Sequence, residues 1–271
     1  MTADPTPGGG AVTPRALVIA HVSDLHIGAH SPDALDSFVT DVKAARPALT
    51  VITGDLTMRA RAGQFTQVRA LLDQLPEPRL TILGNHDVPL ALPRRLVSPY
   101  TRYQNWIEPV LEPVVRLPGL CALGLNSMPR WRWKDGWVSR RQADSIVEIL
   151  GATPRPAIRL LAMHHPPFVL GRIRLAGHAG LLRALTVARV DLVLGGHTHL
   201  PSVRAVELPG AGAEHQLIEV VAGTATSRRT RGVGQSWNII RVDVDTIVVQ
   251  ERHLIDAAWR TEHTARFTRP P

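Results

Sequence analysis

Short runs of apolar and β-branched residues recur along the first third of the chain, and each run ends in polar residues or glycine. Such runs predict buried strands. The segments between them are helix-like, and the first begins with Ser31 followed by Pro32, a typical helix start. We predict strands at 16–22, 49–53 and 79–83 and helices at 32–45 and 63–75. This alternation implies a parallel sheet built from crossover units.

The rest of the chain resumes the alternation and then becomes mostly strand. The proline-rich stretch 88–113 has room for one short helix. Beyond it we predict helices at 139–150 and 181–188 and strands at 114–117, 120–126, 158–163, 191–194, 203–208, 216–221, 237–244 and 246–254. The predicted fold class is α/β, with two sheets that face each other and helices outside them.

The ends of the chain differ in composition from its middle. Residues 1–14 are rich in Pro, Gly and Thr and lack a secretory signal, so we predict a disordered N-terminal tail. Residues 15–256 form the predicted domain, and the polar residues 257–271 are expected to be a loosely held C-terminal tail. No stretch approaches the roughly 18 to 20 apolar residues that span a bilayer. The sequence therefore predicts a cytoplasmic protein.

Charge and cysteine content narrow the function classes. The formal net charge is +8, carried almost entirely by arginine. This balance suits an anionic substrate or an anionic surface but does not choose between nucleotides, nucleic acid and lipid head groups. The single cysteine, Cys121, excludes an intramolecular disulfide and a cysteine-rich metal site, and its apolar neighbours indicate a core residue.

Polar side chains follow five of the predicted strands, where ligands of parallel α/β sheets gather. They are oxygen and imidazole donors suited to metal ions: Asp24, His26, Asp55, Asn85, His86, Asp87, His164, His165, His197 and His199. Each group alone has an ordinary interpretation, such as a turn or a strand end closed by prolines. Their joint occurrence, in order and always at strand ends, favours one metal cluster.

The order Asp-x-His, Gly-Asp, Gly-Asn-His-Asp, His, Gly-His-x-His resembles that of the calcineurin-like metallophosphoesterases, over roughly residues 16–199. The resemblance implies a four-layer αββα sandwich, two mixed β-sheets flanked by helices, with a dimetal site at the C-terminal strand ends. It also implies hydrolysis of a phosphate ester by a hydroxide that bridges two divalent metal ions. Manganese, iron, zinc and cobalt all suit these donors, with Mn or an Fe/Mn pair favoured.

The resemblance also implies a role for each matching residue. Asp24, His26 and His199 would hold one metal, Asn85, His164 and His197 the other, and Asp55 would bridge them. We choose His164 over His165 because it follows the strand directly. His86 would stabilise charge on the substrate or protonate the leaving oxygen. Asp87 would either orient His86 or cap the turn.

Outside this motif set, two basic segments are candidates for substrate or surface contacts. Arg228, Arg229 and Arg231 follow a strand, and we select Arg231 as the substrate-binding residue, with a solvated basic loop as the alternative. The loop 130–137 carries three tryptophans and three cations. It would either meet a membrane surface or plug the end of the sheet.

The resemblance specifies the reaction class but leaves the substrate open. The chain looks most like small bacterial phosphodiesterases that act on cyclic nucleotides or glycerophosphodiesters. The alternatives are a UDP-2,3-diacylglucosamine-type pyrophosphatase of lipid A synthesis, a nuclease, and a scaffold subunit without activity. We expect a small phosphoester substrate rather than nucleic acid, with peripheral membrane contact and a homodimer as further expectations.

Overall fold

The structure, a computed structural model, describes residues 16–168, 175–208, 210 and 215–269. The predicted N-terminal tail 1–14 lies outside these described residues. Strands and helices are numbered below in chain order. Within the described ranges, no helix is both long enough and apolar enough to cross a membrane.

The first sheet has six strands and contains the first three strands of the chain side by side. Its order is β14-β13-β12-β1-β2-β3. The strand bounds are β1 Leu17–Val22, β2 Leu49–Thr53, β3 Arg79–Ile82, β12 Ser236–Val242, β13 Thr246–Ile255 and β14 Ala258–Thr268. β1, β2 and β3 are parallel, as predicted, and β12 joins β1 in antiparallel pairing. The carboxyl ends of β1, β2 and β3 therefore meet at one edge.

The second sheet also has six strands, in the order β10-β11-β9-β7-β5-β4. Its bounds are β4 Val114–Leu117, β5 Leu120–Leu125, β7 Ile158–Met163, β9 Leu192–Gly195, β10 Ser202–Glu207 and β11 Gln216–Val221. The central strands β5, β7, β9 and β11 are parallel, whereas β4 and β10 pair antiparallel at the two edges. Two short strands, β6 Gly136–Trp137 and β8 Leu175–Ala176, pair separately.

Six α-helices connect the strands in the described residues. They are α1 Pro32–Ala45, α2 Ala62–Leu72, α3 Leu92–Val97, α4 Thr101–Trp106, α5 Arg140–Ile149 and α6 His178–Val187. α1 begins with proline at its first position, as predicted. The proline-rich stretch 88–113 holds two short helices, α3 and α4, so the prediction of one helix there is wrong. α3 has Pro93 at its second position, and a break between the two helices keeps each to six residues.

Three apolar cores separate four layers. One core lies between the two sheets, with Ile19 and Ile240 of the first sheet packed among Leu160 and Leu192 of the second. A second core packs α1 and α2 on the outer face of the first sheet. A third packs α5 and α6 on the outer face of the second sheet and includes the buried Cys121. The predicted four-layer αββα sandwich is confirmed.

The predicted C-terminal tail 257–271 is wrong for most of its length, because Ala258–Thr268 forms β14. This strand pairs with β13 along almost its whole length. Its residues are mostly polar and exposed, so its sequence does not show the buried pattern of a strand. Backbone pairing holds it, together with Trp259, which packs near Phe38 of α1 and donates to the Ser37 hydroxyl at 3.2 Å.

Candidate metal centre

The seven predicted metal ligands converge at the edge where the parallel strands of both sheets end. A first cluster contains Asp24, His26, Asp55 and His199, whose ligand atoms lie within 4.8 Å of one another. All four side chains are buried. They come from the loops after β1, β2 and β9, which are far apart along the chain. The fold therefore assembles what the sequence shows only as separate motifs.

A second cluster lies beside the first and shares Asp55 with it. His164 Nε2 lies 3.4 Å from Asp55 Oδ1 and 3.2 Å from Asn85 Oδ1. His197 Nδ1 lies 2.9 Å from the same Asn85 oxygen. On the other side, Asp55 Oδ2 lies 3.7 Å from His26 Nε2. One carboxylate thus faces both clusters, which is the arrangement a bridging ligand requires.

Backbone strain is concentrated in these residues. Five of the seven have positive φ angles between 45° and 67°: Asp24, His26, Asp55, His197 and His199. Residues other than glycine adopt this left-handed conformation rarely, and such strain clusters at functional sites. The surrounding hydrogen bonds hold it in place: the N–H groups of Asp24 and His26 donate to the carbonyls of Gly54 and Asp55.

Hydrogen bonds on the outer side of the cluster orient the ligand atoms inward. The Nδ1–H of His164 donates to the Thr53 carbonyl at 2.7 Å, and that of His199 donates to the Arg229 carbonyl at 2.6 Å. Each bond places the ring proton on Nδ1 and leaves Nε2 as the inward donor atom. Asp24 Oδ2 accepts from the Ser23 hydroxyl and the His197 N–H, which leaves Oδ1 facing the cluster.

The donor atoms that point into the cluster are better placed to bind divalent cations than to bond with one another. Asp24 Oδ1 is buried without a hydrogen-bond partner among the described residues. It faces Nε2 of His199 at 3.1 Å and Nε2 of His26 at 3.5 Å. The two Nε2 atoms lie only 3.0 Å apart. Such convergence of imidazole nitrogens and carboxylate oxygens is the donor set that transition metals prefer.

The pKa shifts of the clustered residues also indicate a site that favours bound positive charge. Burial raises the pKa of Asp24, but the facing His199 and His26 imidazoles outweigh it and hold the pKa well below its usual range. Burial lowers the pKa of His164, but the facing Asp55 carboxylate outweighs it and raises the pKa to about 9. Burial and the charge of His164 lower the pKa of His197 to about 4. Without metal, a proton on His164 would offset carboxylate charge that a bound cation would neutralise.

His165 also lies near this cluster, with its ring 4.6 Å from the ring of His197. Proximity alone would make it a third imidazole for the second cluster. However, both of its ring nitrogens already have partners: Nδ1 bonds the Ser127 hydroxyl at 2.8 Å, and Nε2 donates to the Lys134 carbonyl at 2.9 Å. These bonds support the choice of His164 as the ligand.

His86 lies at the rim of the cluster, but Asp87 does not orient it. The Nδ1–H of His86 donates to the Met58 carbonyl at 2.9 Å. The Asp87 carboxylate instead accepts from the backbone N–H groups of Leu56, Thr57 and Gly84. The orienting role predicted for Asp87 is therefore wrong, and the alternative of a capping carboxylate is what the structure shows.

The basic segment after β11 contributes a different arginine from the one selected. Arg231 lies on an exposed turn. Arg229 reaches the site, where its Nη1 lies 3.4 Å from His86 Nε2 and its carbonyl accepts from His199. Sequence reasoning named this segment but had no signal to rank its arginines. It also missed the supporting roles of Ser23, Thr53 and Met58, which depend on contacts across strands.

Removing the metal should lower the thermal stability of the protein. A ligand present at 100 times its Kd stabilises the folded state by about 2.7 kcal/mol. For a chain of this size that corresponds to a fall in Tm of roughly 5 to 10 °C on chelation. Calorimetry of the metal-loaded protein with and without EDTA measures the change. An unchanged Tm would contradict metal binding by the folded chain.

Comparisons with known proteins agree with this geometry. The sequence profile of the calcineurin-like phosphoesterases matches residues 17–201. A probable cyclic nucleotide phosphodiesterase of Synechococcus sp. is 31% identical over 207 residues, which are 70% of this chain and 75% of that protein. A cAMP/cGMP dual specificity phosphodiesterase of Mycobacterium tuberculosis is 27% identical over 257 residues, 85% of this chain and 77% of that protein.

Solved structures show the same fold at low sequence identity. The purple acid phosphatase PPD1 from yellow lupin seeds superposes with a TM-score of 0.68 at 12% identity, covering 97% of this chain. The chain spans only 55% of that enzyme. The structure of PhoD superposes with a TM-score of 0.69 at 11% identity, covering 97% of this chain and 71% of that one. These likenesses concern the fold alone.

Proposed function

Because this chain belongs to the calcineurin-like phosphoesterase family, we propose that this metal-dependent phosphoric ester hydrolase cleaves the phosphodiester of a cyclic nucleotide. The proposal rests on one observation above all: seven oxygen and nitrogen donors from five strand ends form two adjoining clusters that share Asp55. The substrate class is supported by the similar bacterial proteins, three of which are named as cyclic nucleotide phosphodiesterases.

The proposed ligand sets follow the two clusters. Asp24, His26 and His199 would hold one divalent ion, Asn85, His164 and His197 the second, and Asp55 both. When bound, such a metal pair would neutralise phosphoryl charge and lower the pKa of water so that hydroxide is available near neutral pH. We propose Mn²⁺ or an Fe/Mn pair as the bound metals. The donor set alone suits several metals. The chain's own contribution is to hold the donors in fixed orientations.

His86 and Arg229 are the groups proposed to contact the substrate. Both lie at the rim of the cluster, and the Met58 carbonyl fixes the His86 ring with Nε2 toward Arg229. The Arg229 guanidinium can donate two parallel N–H bonds to two phosphoryl oxygens. Nε2 carries no proton while it faces the Arg229 guanidinium, so it would take one up from solvent before giving it to the leaving oxygen. Asp87 acts on the reaction only through the backbone that it caps.

Exchanging single arginines tests which of them meets the substrate. We expect Arg229→Ala to raise KM for a cyclic nucleotide about tenfold, because a charge-assisted hydrogen bond to phosphate contributes about 1.5 kcal/mol or more. Arg231→Ala, two residues away on the exposed turn, is the matched comparison, with a KM close to wild type. Steady-state kinetics of both variants measure this. A raised KM only for Arg231→Ala would restore the original selection of Arg231.

A substrate panel tests the proposed function itself. The purified protein, supplied with Mn²⁺, is assayed on cyclic AMP, cyclic GMP, a glycerophosphodiester and UDP-2,3-diacylglucosamine, and the chelated protein serves as control. The proposal expects the cyclic nucleotides to have the highest kcat/KM. Preference for the UDP-lipid would instead favour the pyrophosphatase alternative. Bound metal without turnover of any ester would favour a scaffold. Cytoplasmic location and homodimer formation stay predictions.

A further inference from the structure

Two segments of the chain form an exposed apolar surface beside the metal centre, here named the Trp-Leu patch. It comprises residues 88–97, which include α3, and residues 129–134. Among the described residues, eleven large apolar side chains are exposed, and six of them lie in these segments: Leu90, Leu92, Leu96, Val97, Trp131 and Trp133. Scattered exposed apolar residues are ordinary, but a concentration of this kind marks an interaction surface.

The two segments are joined into one surface by Arg95. Its buried guanidinium donates to the carbonyl of Pro89 at 3.0 Å and to that of Arg130 at 2.8 Å. It also donates to the Arg132 carbonyl and lies 4.8 Å from the centre of the Trp133 ring. The bond from Arg130 to the Leu96 carbonyl adds a second link. These bonds hold the two segments together, so their exposed side chains belong to one surface.

The charge of the Trp-Leu patch has one sign. Arg94, Arg130, Arg132 and Lys134 supply cations, whereas residues 88–97 and 129–134 contain no Asp or Glu. In the second segment the cations alternate with tryptophans. Arginine and tryptophan are also common in protein–protein interfaces, but four cations without a carboxylate favour an anionic partner. Tryptophan beside Arg and Lys is instead the combination that binds the interface of anionic membranes.

We propose that the Trp-Leu patch docks this protein onto an anionic phospholipid bilayer. The leucines, Val97 and the two tryptophans enter the interfacial region, and the four cations meet lipid phosphates. The patch adjoins the metal centre, because the Lys134 carbonyl accepts from His165, whose ring lies 4.6 Å from that of His197. Docking therefore holds the metal centre close to the membrane surface. This inference does not depend on which phosphoester the site cleaves.

Vesicle sedimentation of the full chain tests the proposal. We expect binding to vesicles that contain phosphatidylglycerol, little binding to pure phosphatidylcholine, and weakening with salt. Val97 is 85% exposed, and Val97→Glu adds a negative charge to the patch, so it should lower the partition coefficient about tenfold. Val244→Glu is the matched control, since Val244 is 64% exposed on the turn after β12, at the opposite edge of the first sheet.

Several results would overturn the proposal. They are equal binding by Val97→Glu and Val244→Glu, binding that does not need the anionic lipid, or no binding by the wild type. Sedimentation velocity in the same buffers tests whether a second copy of the chain covers the patch instead. A dimer that dissociates in Val97→Glu, together with no vesicle binding, would make the patch an interface between two copies. Hydrolysis of a soluble ester by Val97→Glu at the wild-type rate confirms that the variant is folded.

Discussion

Replacing Asp55 with alanine should remove both metal ions and lower kcat/KM by at least about a thousandfold, because residues that act as one unit fail together. Asp55 is the proposed ligand that faces both clusters, at 3.4 Å from His164 and 3.7 Å from His26. Loss of a ligand to one ion alone would leave the other in place. Elemental analysis of the purified variant, together with its kinetics, measures both effects.

The control for this variant is Asp191→Ala, which removes a different buried carboxylate. Asp191 precedes β9 at the end of the sheet away from the metal centre, where it accepts from Arg155 at 2.7 Å and from the Arg159 N–H at 2.8 Å. Its loss should lower the free energy of unfolding by about 1 to 3 kcal/mol and leave metal content unchanged. Wild-type metal content and activity in Asp55→Ala would refute the bridging role.

Adding one methyl group at Gly84 should damage the metal centre almost as much as removing a ligand. The Gly84 backbone has an ordinary φ of −111°, so alanine would not strain it. A Cβ there would instead collide with the backbone N and the carboxylate of Asp55, whose Cγ would lie 2.9 Å away. Displacing that carboxylate should lower activity at least about a hundredfold. Overpacking should also lower the free energy of unfolding by about 1 to 3 kcal/mol.

Gly63→Ala is the matched control for this substitution. A Cβ at Gly63, in α2, has no atom within 4 Å. Alanine is the better helix former there, so we expect a gain of about 0.5 to 1 kcal/mol in stability with unchanged activity. Metal content and chemical denaturation of both variants separate the two effects. If Gly84→Ala keeps its metal and its activity, the close approach of the two strand ends is not needed.

Strands buried on both faces are among the parts of the fold that the sequence predicted well. β2 and β7 have the predicted bounds, because runs of mostly apolar residues followed by polar ones are typical of strands covered on both faces. β14 could not be predicted in this way. Its residues are largely exposed, and it exists because β13 offers an unpaired edge. The hydrophobic pattern of a sequence indicates which residues are buried, and the residues of β14 are mostly exposed.

The metal centre was also predictable from the sequence only in part. The order of the motifs predicted the seven donors, because each one follows a strand that ends at the same edge. That position can be read from the sequence alone. Orientation is not encoded in this way. The sequence Asn85-His86-Asp87 allowed Asp87 to support His86, yet the tight turn directs its carboxylate to three backbone N–H groups instead. The choice between Arg229 and Arg231 likewise depends on a turn whose direction the residue types do not determine.

The metal content of the wild-type protein tests the two-metal site directly. It is measured after reconstitution with Mn²⁺ and removal of free ions, by elemental mass spectrometry against protein concentration. Two adjoining donor clusters that share one carboxylate predict two ions per chain. One ion or none per folded chain would contradict the assignment of these seven side chains to a two-metal site.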